Sequence, residues 1–206
     1  MSATFREDDS FFTYVLPPCT LYGSTIFHWF ESNGASAFRL IRDNEVETSF
    51  MNLEQVDELY PGVKTFSIVV NPWARMRYAY LMLCELKVFA GHPLIDAFNF
   101  KAETFEQFIL NLPNIQPTDT FWFTPTTPIS KWLEYEADGN LRKVDYILKA
   151  ETLDDDFKPI KDFFCSERPL ELRRAIPDYR EYYTEEMRQV VAELFKEDIE
   201  RFDYKF

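Results

Sequence analysis

The sequence predicts an α/β fold: three layers around a mainly parallel central sheet, with a helical C-terminal end. Three observations predict it. Runs rich in β-branched and aromatic residues alternate with runs of helical periodicity, the order expected of a parallel sheet. Two turns, HWFESNGAS and VVNPWAR, each follow an expected strand and open an expected helix. Finally, Met187, Val190, Val191, Leu194, Phe195, Ile199 and Phe202 fall on one stripe, an amphipathic helix suited to docking on a core.

In chain order, residues 1–20 read as an irregular N-terminal arm ending near Pro17-Pro18, and residues 21–206 as one domain. STIFHWF, from Ser24 to Phe30, is dense in β-formers and reads as a buried strand. Asn33-Gly34 marks a turn, Ser36 is placed to cap, and AFRLIR follows as a helix. Asn52 to Gly62 reads as a short helix stopped by Pro61, and Lys64 to Val70 as a second buried strand. Pro72 suits the first helical turn, where its missing N–H costs nothing. Met76, Ala79, Tyr80 and Leu83 then recur at helical spacing, and TFEQFILNL is another short helix. WLEYEADGNLRKVDYIL reads as two strands around Asp138-Gly139-Asn140, the second running on through KVDYILKAE. It feeds Thr152, a capping-box-like helix start with acids in the first turn.

Composition narrows the classes. The chain has 206 residues, 46% of them hydrophobic and 17% aromatic, enough to bury a sizeable core. Its 22 basic and 35 acidic residues give a net charge of −13. Such a surface repels nucleic acid and anionic membranes. Cys19, Cys84 and Cys165 are far apart and match no zinc spacing, so they read as buried thiols in a reducing compartment. The N-terminus lacks a basic-then-apolar signal pattern. The most apolar helix, Tyr78 to Ala90, is short and carries Glu85 and Lys87, so no membrane span is expected. A cytoplasmic or intracellular location is the expectation.

IFHWFESNGASAF, VVNPWARMRYAY and the tail from VDYILKAETLDDDF to the C-terminus carry a family resemblance. The chain resembles the α/β sulfotransferases that use 3′-phosphoadenosine-5′-phosphosulfate, in particular the short carbohydrate-sulfotransferase-like proteins of bacteria and viruses. The resemblance runs from about Thr25 onward and implies a P-loop-like sulfotransferase fold. The first family motif reads roughly H-I-P-K-T-G-G-T-S between strand and helix, and the second roughly V-R-N-P-x-x-R-x-x-S-A-Y. It implies that the first loop (Glu31, Ser32, Asn33, Gly34, Ala35, Ser36) and the second turn (Val70, Asn71, Arg75, Tyr78) occupy the cosubstrate positions.

Residue by residue, His28, Gly34, Ser36, Asn71, Pro72, Arg75 and Tyr80 match the family pattern. The phosphate contacts depart from it. Phe30 replaces a proline, Asn33 a glycine and Ala35 a threonine. Glu31 stands where the family has the lysine that grips the 5′-phosphosulfate. Val70 stands on the arginine and Tyr78 on the serine that hold the 3′-phosphate. A unit charge ~4 Å from another is worth about 4 kcal/mol at an effective dielectric of ~20. Reversing the sign at Glu31 therefore costs several kcal/mol, and each ~1.4 kcal/mol is tenfold in affinity. A helix N-terminus offsets up to ~2 kcal/mol.

Each candidate has two readings. Glu31 is a ligand for a cation or amine, or a solvated acid at a decayed site. Arg75 and Arg77 bind an anion, or Arg75 pairs with an acid or loop carbonyl. His28 is a general base, its ordinary pKa suiting the task, or a hydrogen-bonded structural histidine. His92 is a loop residue. Glu45 and Glu47 lie where this family can bear its base, or are solvated loop acids. Asp154 to Asp156 complement a helix dipole rather than hold a metal. Trp29, Trp73, Trp122 and Trp132 line an acceptor groove or pack the core, and Tyr182-Tyr183 pack before the last helix. No metal site is expected.

Two functions follow. One is a non-catalytic protein on a sulfotransferase-like scaffold, without cofactor and with protein partners in a binding or assembly role. Given where such short relatives occur, the resemblance extends that role to a viral structural component. The other is a divergent sulfotransferase passing sulfate from the activated donor to a carbohydrate or other hydroxyl, by positioning and charge stabilisation.

Overall fold

A computed structural model describes residues 3–7, 10–15, 17, 23–32, 39–40, 52–86, 102–115, 127–170 and 178–206. They belong to two compact units, Met1–Val70 with Ile129–Ala175, and Asn71–Pro128 with Ile176–Phe206.

The first unit holds a five-stranded sheet in the order β3-β1-β2-β4-β7. Its strands are β1 (Ala3–Glu7), β2 (Ser10–Tyr14), β3 (Arg39–Leu40), β4 (Lys64–Val69) and β7 (Tyr146–Lys149). β1 pairs antiparallel with β2 and with β3, whereas β2, β4 and β7 run parallel. The fold is thus α/β in the coarse sense, mixed helix and strand with a small parallel sheet. Residues 65 to 70 are all buried, so both faces of the β4 segment are covered, as parallel strands require. Asp145 clamps the starts of β4 and β7. Its carboxylate accepts from the Thr65 N–H at 2.7 Å and the Thr65 hydroxyl at 2.9 Å.

Two expectations at the amino end are corrected. The segment read as an irregular arm supplies β1 and β2, which pair with each other from Ala3↔Tyr14 to Glu7↔Ser10. The segment read as a buried strand is helix α1 (Gly23–Ser32). Ile26, Trp29 and Phe30 recur at i, i+3 and i+4 and are buried, and that spacing overrides the β-propensity of the side chains. Trp29 meets Phe157 edge-on at 5.0 Å, and Phe30 lies 6.2 Å from Phe66, which stacks on Tyr14 at 4.9 Å. Each such aromatic pair adds about 0.5–1.5 kcal/mol beyond its burial. AFRLIR, expected as helix, contains β3 at Arg39–Leu40.

Helix α2 (Leu53–Leu59) starts on a reciprocal capping box between Asn52 and Gln55 and ends before Pro61, as the sequence predicts. Helix α5 (Ser130–Leu133) leads into the hairpin β5 (Glu134–Ala137) and β6 (Asn140–Lys143). Asp138 and Gly139 take φ of 51° and 75°, the left-handed pair that a two-residue hairpin turn needs. The run expected as one strand from Asn140 onward is two. It breaks at Val144, whose N–H donates to the Leu133 carbonyl, and continues as β7 in the main sheet. Helices α6 (Leu153–Asp156) and α7 (Lys158–Phe163) follow. Asp156 accepts from the Lys149 N–H at 2.7 Å and the Thr152 hydroxyl at 3.0 Å.

In the second unit, α3 (Pro72–Tyr80) carries Pro72 in its first turn and continues through a π-helical turn, Leu81–Glu85. Helix α4 (Phe105–Asn111) is capped by Thr104, and α8 (Glu185–Leu194) by Thr184. The single C-terminal helix expected from the stripe is two. It breaks at Phe195 (φ −112°) and resumes as α9 (Lys196–Phe202). Phe206 meets Trp73, Tyr179 and Tyr183 edge-on at 5.5–5.7 Å. Trp29, Trp73 and Trp132 are core residues, at most 5% exposed. Cys165 is exposed and Cys84 half-buried, against the expectation of buried thiols. Among the described residues no helix is long and apolar enough to cross a membrane.

Candidate functional site

Helix α1 removes the geometry expected of the first turn. His28 is a half-buried helical residue rather than a strand residue, and Glu31 and Ser32 belong to the last turn of α1. A helix N-terminus attracts anions through its unpaired N–H groups, whereas a C-terminus presents carbonyls and partial negative charge. The Ser32 hydroxyl donates to the Trp29 carbonyl at 3.0 Å, and the Ser32 carbonyl accepts from Arg168 Nη1. Trp29 Nε1 donates in return to the Arg168 carbonyl at 3.2 Å. The C-terminal carbonyls of α1 are thus met by an exposed guanidinium. Asn33, Gly34, Ala35, Ser36, Glu45, Glu47, His92 and Trp122 lie outside the described residues.

The second turn has the expected strand-to-helix form, and its polar residues are engaged in structure. Val70 is 1% exposed. Asn71 caps α3, its Oδ1 accepting from the Trp73 N–H at 3.0 Å while its Nδ2 donates to the Lys205 carbonyl at 2.9 Å. Arg75 is 1% exposed. Its Nη1 donates to the Thr127 carbonyl at 2.9 Å, and its guanidinium lies 5.6 Å from the Phe195 ring. The carbonyl-pairing reading of Arg75 therefore describes it. Tyr78 is half-buried on α3.

Arg77 faces the rings of Tyr182 at 4.5 Å, Phe105 at 5.5 Å and Tyr80 at 5.6 Å, and pairs with Glu85 at 3.1 Å. The π-helical turn carries Glu85. Burial first, then the charges of Glu85 and Cys84, push the Tyr80 phenol above the usual range against the pull of Arg77. The Tyr80 hydroxyl donates to the Glu103 carbonyl at 3.2 Å. Among the described residues no group of three or more His, Cys, Asp or Glu is placed to hold a metal.

Sequence reasoning missed the strand–connection–helix unit that precedes this one. β2 ends at Tyr14, α1 begins at Gly23, and β4 lies parallel beside β2. In open α/β sheets ligands sit outside the carboxyl ends of such strands. Thr25, in the first turn of α1, is 2% exposed. The signal was present: SFFTYV is a β-rich run, and Gly23-Ser24 precedes the helical spacing of Ile26, Trp29 and Phe30. The connection, VLPPCTLY, contains neither lysine nor arginine, and neither does HWFESNGAS.

Compared with known proteins, the chain matches no family model, no curated protein and no solved structure.

Proposed function

We propose that this chain is a non-catalytic protein on a three-layer, P-loop-like sulfotransferase scaffold, with a binding or assembly role such as that of a viral structural component. The observation that carries the reading is the lack of lysine and arginine within the two candidate loops and at position 70. Neither VLPPCTLY nor HWFESNGAS contains lysine or arginine, and Val70 brings a buried apolar side chain to the second turn. Electrostatic stabilisation by fixed positive groups is the main catalytic term for transfer of a charged phosphoryl-like group. Asn71 and Arg75, the polar residues that match the family, are spent on capping and on a loop carbonyl.

A divergent sulfotransferase is the second reading, favoured by β2, α1 and the parallel neighbour β4, which put a helix N-terminus after a strand. Calorimetric titration of the whole chain with adenosine 3′,5′-bisphosphate separates the two. The non-catalytic reading expects no saturable heat at millimolar ligand. Micromolar binding would overturn it and direct the search to a hydroxyl acceptor.

A further inference from the structure

The β5–β6 hairpin turns on Asp138-Gly139, the one Asp-Gly step in the sequence. Both residues are exposed. Beyond the chain neighbours of Gly139, no heavy atom of the described residues lies within 4 Å of where its Cβ would stand. We propose that this step is a spontaneous modification site, where Asp138 becomes isoaspartate through a cyclic imide, with the Asn140 amide promoting ring closure.

The Gly139 nitrogen bonds to Asp138 Cγ, and its proton leaves with the hydroxyl of the carboxyl group as one water. Water then adds to either carbonyl of the imide and breaks one C–N bond. Opening on the side-chain side restores aspartate. Opening at the main-chain carbonyl leaves the chain running through Cγ, which is isoaspartate. No oxidant, reductant or further reactant enters. The turn favours closure in three ways. Gly139 has no side chain to crowd the ring. Asp138 is an L-residue held at φ 51°, where its Cβ is crowded by the following carbonyl, so leaving that conformation relieves it. Finally, Asn140 Nδ2 donates to the Asp138 carbonyl at 3.3 Å. That carbonyl and the Gly139 N–H are two ends of one delocalised peptide group. A donor on the oxygen draws charge from the nitrogen, so the N–H ionises more readily, and the ionised nitrogen is the nucleophile.

The hairpin has no slack for the product. Isoaspartate carries the main chain through one more bond, and a two-residue turn fixes the register of its strands. In that register Tyr135 faces Arg142, and both donate to Asp57 Oδ2 at 2.9 Å. A slip of one residue turns a strand's side chains to the other face. Conversion at Asp138 therefore takes one of these donors from Asp57 and loosens the hairpin where it meets α2.

The full chain is held at neutral pH in oxygen-18 water, then digested in ordinary water. The tryptic peptide from Trp132 to Arg142, whose only aspartate is Asp138, is analysed by mass spectrometry. Each passage through the imide leaves one heavy oxygen. This peptide should label ahead of those carrying Asp154 to Asp156 and Asp162, and fragmentation should show isoaspartate at position 138. Asn140→Ala should label about threefold more slowly, the worth of one modest hydrogen bond. In urea, where that bond is absent, the two chains should label alike. Asp138→Asn suits the same turn and should reach the same isoaspartate with release of ammonia. The site is overturned if the peptide takes up no heavy oxygen over weeks, or if the other aspartates label equally. The role of Asn140 is overturned if alanine there leaves the folded rate unchanged, or slows the unfolded chain as much. Aged protein that unfolds in urea as one population with fresh protein would overturn the loosening of the hairpin.

Discussion

The sharpest perturbation places an arginine at position 70. Val70→Arg puts a guanidinium where the side chain is 1% exposed, at the end of a strand segment buried from residue 65 onward. A buried charge left without a partner costs about 3–5 kcal/mol, and the extra length adds strain of about 1–3 kcal/mol. For a chain of 206 residues each kcal/mol moves the midpoint by about 2–4 °C, so the charge alone lowers Tm by about 6–20 °C. That is a large share of a total stability of about 5–15 kcal/mol. Val70→Met separates the two effects, because it adds length without charge and should lose only the strain.

The assay is thermal unfolding followed by circular dichroism, on wild type, Val70→Arg and Val70→Met, with bisphosphate titration of whatever remains folded. Arginine far below methionine is the expected order. An arginine variant that melts with wild type would mean that the side chain at position 70 reaches water. If it also bound the bisphosphate, the second turn would be a working phosphate site lacking one residue. The argument from burial would then fail together with the function drawn from it.

The contacts of Tyr183, Arg142 and Arg77 give further expected outcomes. Burial, with Tyr179 beside it, pushes the Tyr183 phenol far above the tyrosine range, against the pull of Arg77. A group whose folded pKa is raised stabilises fully below its unfolded pKa and loses that contribution as pH rises. Stability should therefore fall from about pH 10 upward, less steeply in Tyr183→Phe, as read by urea unfolding across pH. Tyr183→Phe also frees the Trp73 carbonyl that the hydroxyl meets at 2.8 Å, at a cost of about 1–2 kcal/mol near neutrality. Arg142→Ala removes the bonds to Asp57 and should cost about 1–3 kcal/mol in urea unfolding, since the Asp57 carboxylate is only 14% exposed. Arg77→Lys keeps the charge beside Glu85 but loses the planar face set against three rings, so it should recover only part of the Tm that Arg77→Ala loses.

The legible parts of the fold share one property: their signals are local. Asn52 with Gln55, Asn71 with Pro72, Thr104 and Thr184 each cap the helix that the sequence expects. β4 is legible because it is buried from Thr65 to its end and needs no partner to be recognised. The failures are non-local. β1 and β2 are short and flank an acidic stretch, and only pairing of Phe12, Thr13 and Tyr14 with Lys64, Thr65 and Phe66 makes a sheet of them. In α1, β-branched and aromatic residues mimic a strand, and the helix is held by Phe66, Phe157 and Phe164, which follow far along the chain. The break at Phe195 lies within an unbroken apolar stripe, where periodicity gives no warning.

At the second turn the polar side chains carry structural bonds. Asn71 and Arg75 each hold the fold by bonds that would remain whether or not a phosphate was present. Removing Asn71 would uncap α3 and take a donor from the Lys205 carbonyl, and removing Arg75 would take a donor from the half-buried Thr127 carbonyl and a cation from the Phe195 ring. At position 70, a valine meets the demand of a buried strand end better than a cation. A sequence match at the structural positions of a motif is therefore weak evidence for ligand binding, and the cations decide. On that criterion the buried valine at position 70 counts against phosphate at this turn.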